Sequence, residues 1–243
     1  MAWARGTLAA TLYVARPGAY AEAHHSQWAI NGLKEVSQAF GRAPQWEVID
    51  DDVPKRFRSW KRSTTLFLFT HAFGRMSPIR CGDTGKPIPS YLLPLPERLR
   101  EQIYFWAREY VDFDRIWLKS GALEIPAYKE LADPNSQFSR EGRELCAQLE
   151  SATTTPTYYL LLRYWGRKEG EASRPCPGCG GRWHAPAPSM KKAPFHRFHF
   201  RCKKCRLVSY CSSSEDDERH ARIGEFRERD IRSKRGSDKN HLS

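Results

Sequence analysis

The sequence predicts an α+β protein: a sheet-and-helix body over residues 1–166, with a sub-boundary allowed near residue 75, then a four-cysteine zinc ribbon over 167–211, then a charged tail over 212–243 expected to be disordered. Three observations predict it. Short β-rich runs surround one amphipathic helical stretch early in the chain. Two further apolar stripes at helical spacing fill the middle. Finally, the composition changes abruptly after Gly166, where two Cys-x2-Cys pairs follow a linker-like "GRKEGEASRP".

Taken in order, "TLAATLYVA" (7–15) reads as a strand and not as a signal peptide, because its short apolar stretch carries Thr7, Thr11 and Tyr13 and ends at Arg16. "SQWAINGLKEVSQAF" (26–40) places Ile30, Leu33, Val36 and Phe40 on one helical face behind Ser26 as cap. "QWEVID" (45–50) and "TTLFLFTHAF" (64–73) read as strands, giving a β-α-β-β order and an antiparallel or mixed sheet with a helix on one face. In "PERLREQIYFWAREYVDFDRIWLKSG" (96–121), Leu99, Ile103, Trp106, Tyr110, Phe113 and Trp117 recur at intervals of three and four, a core stripe with Gly121 as the stop. A second helix over 136–153, capped by Asn135 or Ser136, turns Phe138, Leu145 and Leu149 inward. "TYYLLLRYW" (157–165) has little alternation and reads as a strand buried on both faces.

Charge is distributed unevenly. The formal net charge is +12, and residues 167–211 hold 11 Lys or Arg against 2 Asp or Glu, a local +9. A field this concentrated predicts an anionic partner. The 32 residues after Cys211 carry 8 basic and 8 acidic side chains and too few apolar ones to fold alone, hence a tail expected to be disordered or at most transiently helical. No apolar run approaches the ~20 residues of a membrane helix, so no membrane partner is expected.

Cys176, Cys179, Cys202 and Cys205 form C-x2-C-x22-C-x2-C. Two such turns can complete a tetrahedral shell of four thiolates, the arrangement of closed structural zinc sites, so one structural Zn2+ is expected. An iron–sulfur cluster or a reactive dithiol is the alternative. Seven cysteines, mostly in such pairs, suit thiolates in a reducing cytoplasm better than a disulfide framework. His184, His196 and His199 lie in the spacer, and Cys211 follows six residues after Cys205; since four cysteines already fill the shell, these read as packing or surface groups. In "FHRFHFRC" (195–202) a strand would turn Phe198, Phe200 and Cys202 to the metal core and Arg197, His199 and Arg201 to a basic strip. Arg182, Trp183, Lys203, Lys204 and Arg206 flank the cysteines, and with that strip they form the candidate nucleic-acid contact, cations for phosphates and an aromatic for stacking.

Three stretches, "SPIRCGDTGKPIPSYLLP" (77–94), "FSREGRELCAQLE" with "TPTYYLLLRYWG", and "CPGCGGRW" with "FRCKKCRLVS", resemble a bacterial family of zinc-ribbon-containing proteins of uncharacterised function, for which nucleic-acid binding is the suggested role. The resemblance covers about residues 65–211. It implies a bacterial cytosolic setting and a C-terminal ribbon, and assigns no chemistry. In that family the first stretch often carries a cysteine pair; here Thr84 stands at the second position, so the resemblance implies no second metal site at 81–84. Arg80, Cys81 and Asp83 still sit on a Gly- and Pro-rich loop, a candidate partner-binding surface, although a rigid turn with Asp83 capping backbone amides explains the same residues. Cys81 with His71 lacks a third, orienting group, and clustered carboxylates or an open metal position are missing, so no catalytic residues are assigned. The expected function is nucleic-acid binding by a basic ribbon face. The alternative is a protein–protein module, an immunity-type neutraliser or adaptor, docking on an acidic protein through the ribbon and the Arg80–Asp83 loop.

Overall fold

The computed structural model describes residues 2–4, 7–9, 20–47, 60–74, 76–119, 121–185 and 198–227. They divide into two compact units, Met1–Ser59 and Trp60–Ser243. In the first unit, β1 (Ala2–Ala4) pairs antiparallel with β2 (Thr7–Ala9). The strand expected over 7–15 is thus observed only over 7–9, and 10–15 lie outside the described residues. Helix α1 (Gln27–Phe40) starts where Ser26 Oγ accepts from the Ala29 amide at 3.2 Å and stops at Gly41, whose φ of 67° only glycine adopts without strain. Its stripe behaves differently from the expectation. Ile30 and Leu33 are half-buried, but Val36 and Phe40 are 40% and 42% exposed, because amphipathic spacing records what a face can bury and not what lies against it. The strand expected over 45–50 is absent at 45–47, and 48–50 lie outside the described residues.

The second unit is built on a five-stranded mixed sheet of order β4-β3-β5-β7-β6. Its strands are β3 (Leu66–Leu68), β4 (Ile79–Cys81), β5 (Thr157–Leu160), β6 (Phe200–Cys202) and β7 (Leu207–Ser209). β3 pairs antiparallel with β4 and parallel with β5, β5 pairs parallel with β7, and β6–β7 is an antiparallel hairpin. The parallel step from β3 to β5 needs a long crossover, supplied by α2 (Glu97–Leu118), α3 (Glu124–Ala132) and α4 (Gln137–Thr153). Both long helices match the sequence reading, with Ser136 capping α4 by accepting from Ser139 N at 3.1 Å. Helix α3 escaped it: "EIPAYKELA" is short, contains Pro126 and buries only Ala127, Tyr128, Leu131 and Ala132.

β5 is buried on both faces, as its poor alternation predicts. Tyr159 packs with Trp106 and the helices, while Tyr158 and Leu160 join Phe67, Phe198 and Val208 on the other side. Gly142 lets α4 approach that closely, since a Cβ there would lie 2.4 Å from the Tyr159 ring. The run 64–73 narrows to three strand residues because the chain turns back after Phe69. Buried Asp114 of α2 holds that turn, accepting from Ala72 N at 2.5 Å and from Trp117 Nε1 at 2.6 Å.

The segment 167–175, expected as a linker, is tied down by ion pairs. Arg163, 5% exposed, grips Glu171 through Nε and Nη2 at 2.7 and 3.0 Å, and Arg167 Nη2 meets Glu225 Oε1 at 2.7 Å. The charged tail, expected to be disordered from residue 212, is instead folded back as far as Arg227. Ser214 bridges Trp165, helix α5 (Glu218–Ala221) sets His220 against the Trp165 ring at 4.9 Å, and Arg163 Nη2 donates to Ala221 O. Its few apolar groups could not fold alone, but they dock on a surface already built. Residues 228–243 lie outside the described residues.

Candidate metal centre

The four paired cysteines come together. Their Sγ atoms all lie within 4.8 Å of one another, with Cys179 and Cys202 3.7 Å apart. A tetrahedral ion about 2.3 Å from each sulfur would separate the sulfurs by about 3.8 Å, so this cluster can hold a metal ion. Among the described residues no other His, Cys, Asp or Glu side chains form such a group.

Each pair sits on a turn whose backbone is fixed locally. In the first, the Cys176 amide donates to Gly181 O and the Gly180 amide to Cys176 O, at 2.7 and 2.8 Å, with Gly180 left-handed at φ 72°. In the second, Cys202 ends β6, the Cys205 amide points at Cys202 Sγ at 3.4 Å, and Arg206 is left-handed at φ 53°. A non-glycine residue there costs about 1–2 kcal/mol. Arg206 is held in place by a bidentate pair with Glu150 of α4, Nη2–Oε1 2.7 Å and Nε–Oε2 3.0 Å, and by its position 5.4 Å over the Tyr158 ring. So closely packed, the thiols act on one another. A hydrogen bond from Cys176 is the largest influence on Cys205 and brings it down to about 5, against the opposing effect of burial. Cys176 is pushed up by the same bond and then by burial, and Cys202 is pushed up chiefly by burial.

The candidate nucleic-acid contacts fare unequally. Arg182, Lys203 and Lys204 are exposed beside the cysteines. Trp183 is not available for stacking: it is 2% exposed and lies 5.0 Å from the Phe200 ring inside the core. Arg206 is committed to Glu150. His199 Nδ1 accepts from the Cys211 amide at 3.1 Å, and exposed Cys211 stands outside the thiol cluster. The simple alternation expected for 195–202 fails at a bend at His199. Phe198 therefore packs with Phe67 and Val208, on the opposite face from Phe200 and Cys202, and half-buried Arg201 shares the Val208 side. Arg197 and His196 lie outside the described residues. His184 packs against Phe200 at 5.5 Å.

The Arg80–Asp83 loop is occupied with its own structure. Arg80 donates to Phe69 O and Gly85 O, and burial draws its pKa down. Cys81 is 4% exposed and receives the Ser63 hydroxyl at 3.2 Å; Asp83 accepts from Thr64 N at 3.0 Å and from Thr64 Oγ1. His71 stacks 6.0 Å from Phe69. Glu150, Glu171 and Asp114, which hold these surroundings in place, escaped the sequence reading. Glu150 pairs with Arg206 56 residues away and Asp114 with the Ala72 amide 42 residues away, separations at which linear patterning carries no signal, while Glu171 sits eight residues from Arg163 at a spacing that marks no helix or strand face.

Comparison with known proteins places these residues in a family. The domain of unknown function DUF2310 matches residues 61–162, and the domain of unknown function DUF8594 matches 166–215. Two proteins of Haemophilus influenzae (strain ATCC 51907 / DSM 11121 / KW20 / Rd), both described as uncharacterized, are 37% identical over 147 residues and 36% identical over 192. The alignments span 60% of this chain and 70% of the first relative, and 75% of this chain and 72% of the second. The chain belongs to this bacterial DUF2310 family, whose function is unknown. No solved structure matches it. None of the described helices is long and apolar enough to cross a membrane.

Proposed function

We propose that this member of the DUF2310 family holds one structural zinc ion between Cys176, Cys179, Cys202 and Cys205, and binds nucleic-acid phosphates through the cations that the two cysteine turns present. The cluster of four sulfurs within 4.8 Å carries the reading. Four thiolates leave zinc no open position, so the ion supplies folding free energy and no reaction step. A reducing compartment such as the cytoplasm keeps those thiols available. Lys203 and Lys204 lie within the second turn and Arg182 just beyond the first, all exposed, so forming the centre fixes where three positive charges point. The local +9 is trimmed by the Arg167–Glu225 and Arg206–Glu150 pairs, which use acids from outside the segment.

Purified protein should contain one zinc per chain by elemental analysis. Its affinity for single-stranded and duplex DNA and RNA should fall log-linearly with salt. No binding to any of these at low salt would remove the nucleic-acid half of the reading. The exposed cations Arg182, Lys203 and Lys204 also suit one second reading, an acidic protein as the anionic partner, since they match a compact carboxylate patch as well as a phosphate backbone. A stoichiometric complex that survives nuclease treatment would support it.

A further inference from the structure

We infer that a cavity beside the first cysteine turn is a phosphate pocket, in which Arg174 and Arg182 receive one phosphodiester of a bound nucleic acid. The inference rests on the nucleic-acid reading and names the place where the backbone is gripped. The cavity has a volume of about 450 Å³ and is lined by Ser173, Arg174, Pro175, Gly181, Arg182 and His184 among others, with no carboxylate among the described residues of its wall.

Arg174 is the unusual member. Its side chain is 3% exposed, which is costly for a guanidinium without full compensation. Its ion partner among the described residues is Glu171, at 3.6 Å from Nη1 to Oε1, beyond hydrogen-bond reach. That carboxylate is already engaged, with Oε1 on Arg163 Nε at 2.7 Å and Oε2 on Arg163 Nη2 and the Arg167 amide at 3.0 Å each. One carboxylate therefore serves two guanidinium groups and a backbone amide, and the Arg174 guanidinium keeps its fork of donors for a second anion. A planar fork matches two oxygens of a phosphate. Exposed Arg182 stands at the mouth, and half-buried His184 adds a ring nitrogen. Gly181 brings no side chain, so an anion can approach the backbone closely. The bridge between Pro175 and Arg182 sets the two arginine-bearing strands of chain side by side, which makes the pocket a consequence of closing the first cysteine turn.

The test is a titration of the full, zinc-loaded chain, followed by backbone and arginine Nε–H resonances. The probes are a short oligothymidylate, the dinucleotide TpT, and sodium chloride at matched ionic strength. Saturable shifts at Ser173, Gly181, Arg182, His184 and the Arg174 Nε–H with both phosphodiester probes, and not with chloride, are expected. Arg182→Gln, an exposed change that leaves the fold intact, should lower the slope of log K against log salt for oligothymidylate by about 0.7, one single-strand phosphate's worth. Arg174→Lys keeps the buried charge but removes the fork; it should weaken TpT binding several-fold while leaving zinc content at one per chain. Oligothymidylate binding with shifts confined to Lys203 and Lys204, and an unchanged slope in Arg182→Gln, would overturn the pocket and leave the nucleic-acid reading standing. Shifts reproduced by chloride would overturn the pocket as well. Absence of oligonucleotide binding at low salt overturns both.

Discussion

The two edge strands of the central sheet end alike and come to different uses. β4 ends at Cys81 and β6 at Cys202, both buried. Four residues on from each, the chain is left-handed, at Gly85 with φ 70° and at Arg206 with φ 53°, and the same geometry recurs from Cys176 to Gly180. In the first case the Gly85 amide closes on Cys81 O at 2.7 Å, just as Gly180 closes on Cys176. All three turns have the backbone of a cysteine knuckle. The difference lies in what stands three residues after the cysteine: Cys179 and Cys205 in the ribbon, Thr84 at the other edge. Without a second sulfur the Cys81 turn satisfies itself through Ser63 and Asp83, whereas the other two turns face each other and assemble a donor set. A turn's shape therefore does not make a site. A site needs a second turn opposite and chemistry left over after local bonding.

The largest expected effect separates these edges directly. Cys202→Ser should abolish zinc binding, measured as metal per chain, and should also unravel the sheet beyond the ribbon, because the Tyr159 and Leu161 amides donate to Arg206 O and Val208 O. Structural zinc contributes about 10 kcal/mol or more of folding free energy in small metal domains, so amide-exchange protection at Tyr159 and Leu161 should collapse. Unchanged protection would show the ribbon to be energetically independent of the sheet. At the other edge, Asp83→Ala removes two bonds to Thr64 and should cost about 1–3 kcal/mol by denaturant unfolding, with zinc content and nucleic-acid affinity unaltered. A loss of metal in that variant would mean the two turns are not separate. Smaller again, Lys203→Gln with Lys204→Gln should leave stability within about 0.5 kcal/mol and lower the salt slope of DNA binding by roughly 2.

A small coupling is also expected at the Arg206–Glu150 pair, which holds the strained residue of the second turn. Burial raises the Glu150 pKa, but the hydrogen bonds from Arg206 and the Thr157 amide outweigh it, leaving the carboxyl below its usual range. Its contribution is thus fully present above the unfolded carboxylate pKa, near 4.3, and is lost as pH falls through the lower folded value. The pair is partly exposed, so a double-mutant cycle of Glu150→Gln and Arg206→Gln should give about 0.5–1 kcal/mol of coupling at pH 7. That coupling should vanish at a pH low enough to protonate Glu150. A coupling that persists there would assign the role of Arg206 to its stacking on Tyr158 instead.

Periodicity and spacing, read from the chain alone, were enough for α1, α2 and α4 with two of their caps, for the doubly buried β5, and for the four cysteines as one set. These features depend on residues three or four apart, or on a donor pair whose ligand chemistry is the same wherever it is placed. Helix α3, the ion-paired segment 167–175 and the docking of residues 212–227 depend on partners supplied by other elements. No local window contains Glu171 with Arg163 and Ala221, or Trp165 with His220. The same holds for function. Composition located the positive charge near the cysteines, but only the tertiary structure decided which cations are left to act. It buried Trp183, paired Arg206 with Glu150, and left Arg182, Lys203 and Lys204 in solvent, because burial and pairing are properties of the assembled sheet and not of the order of residues along it.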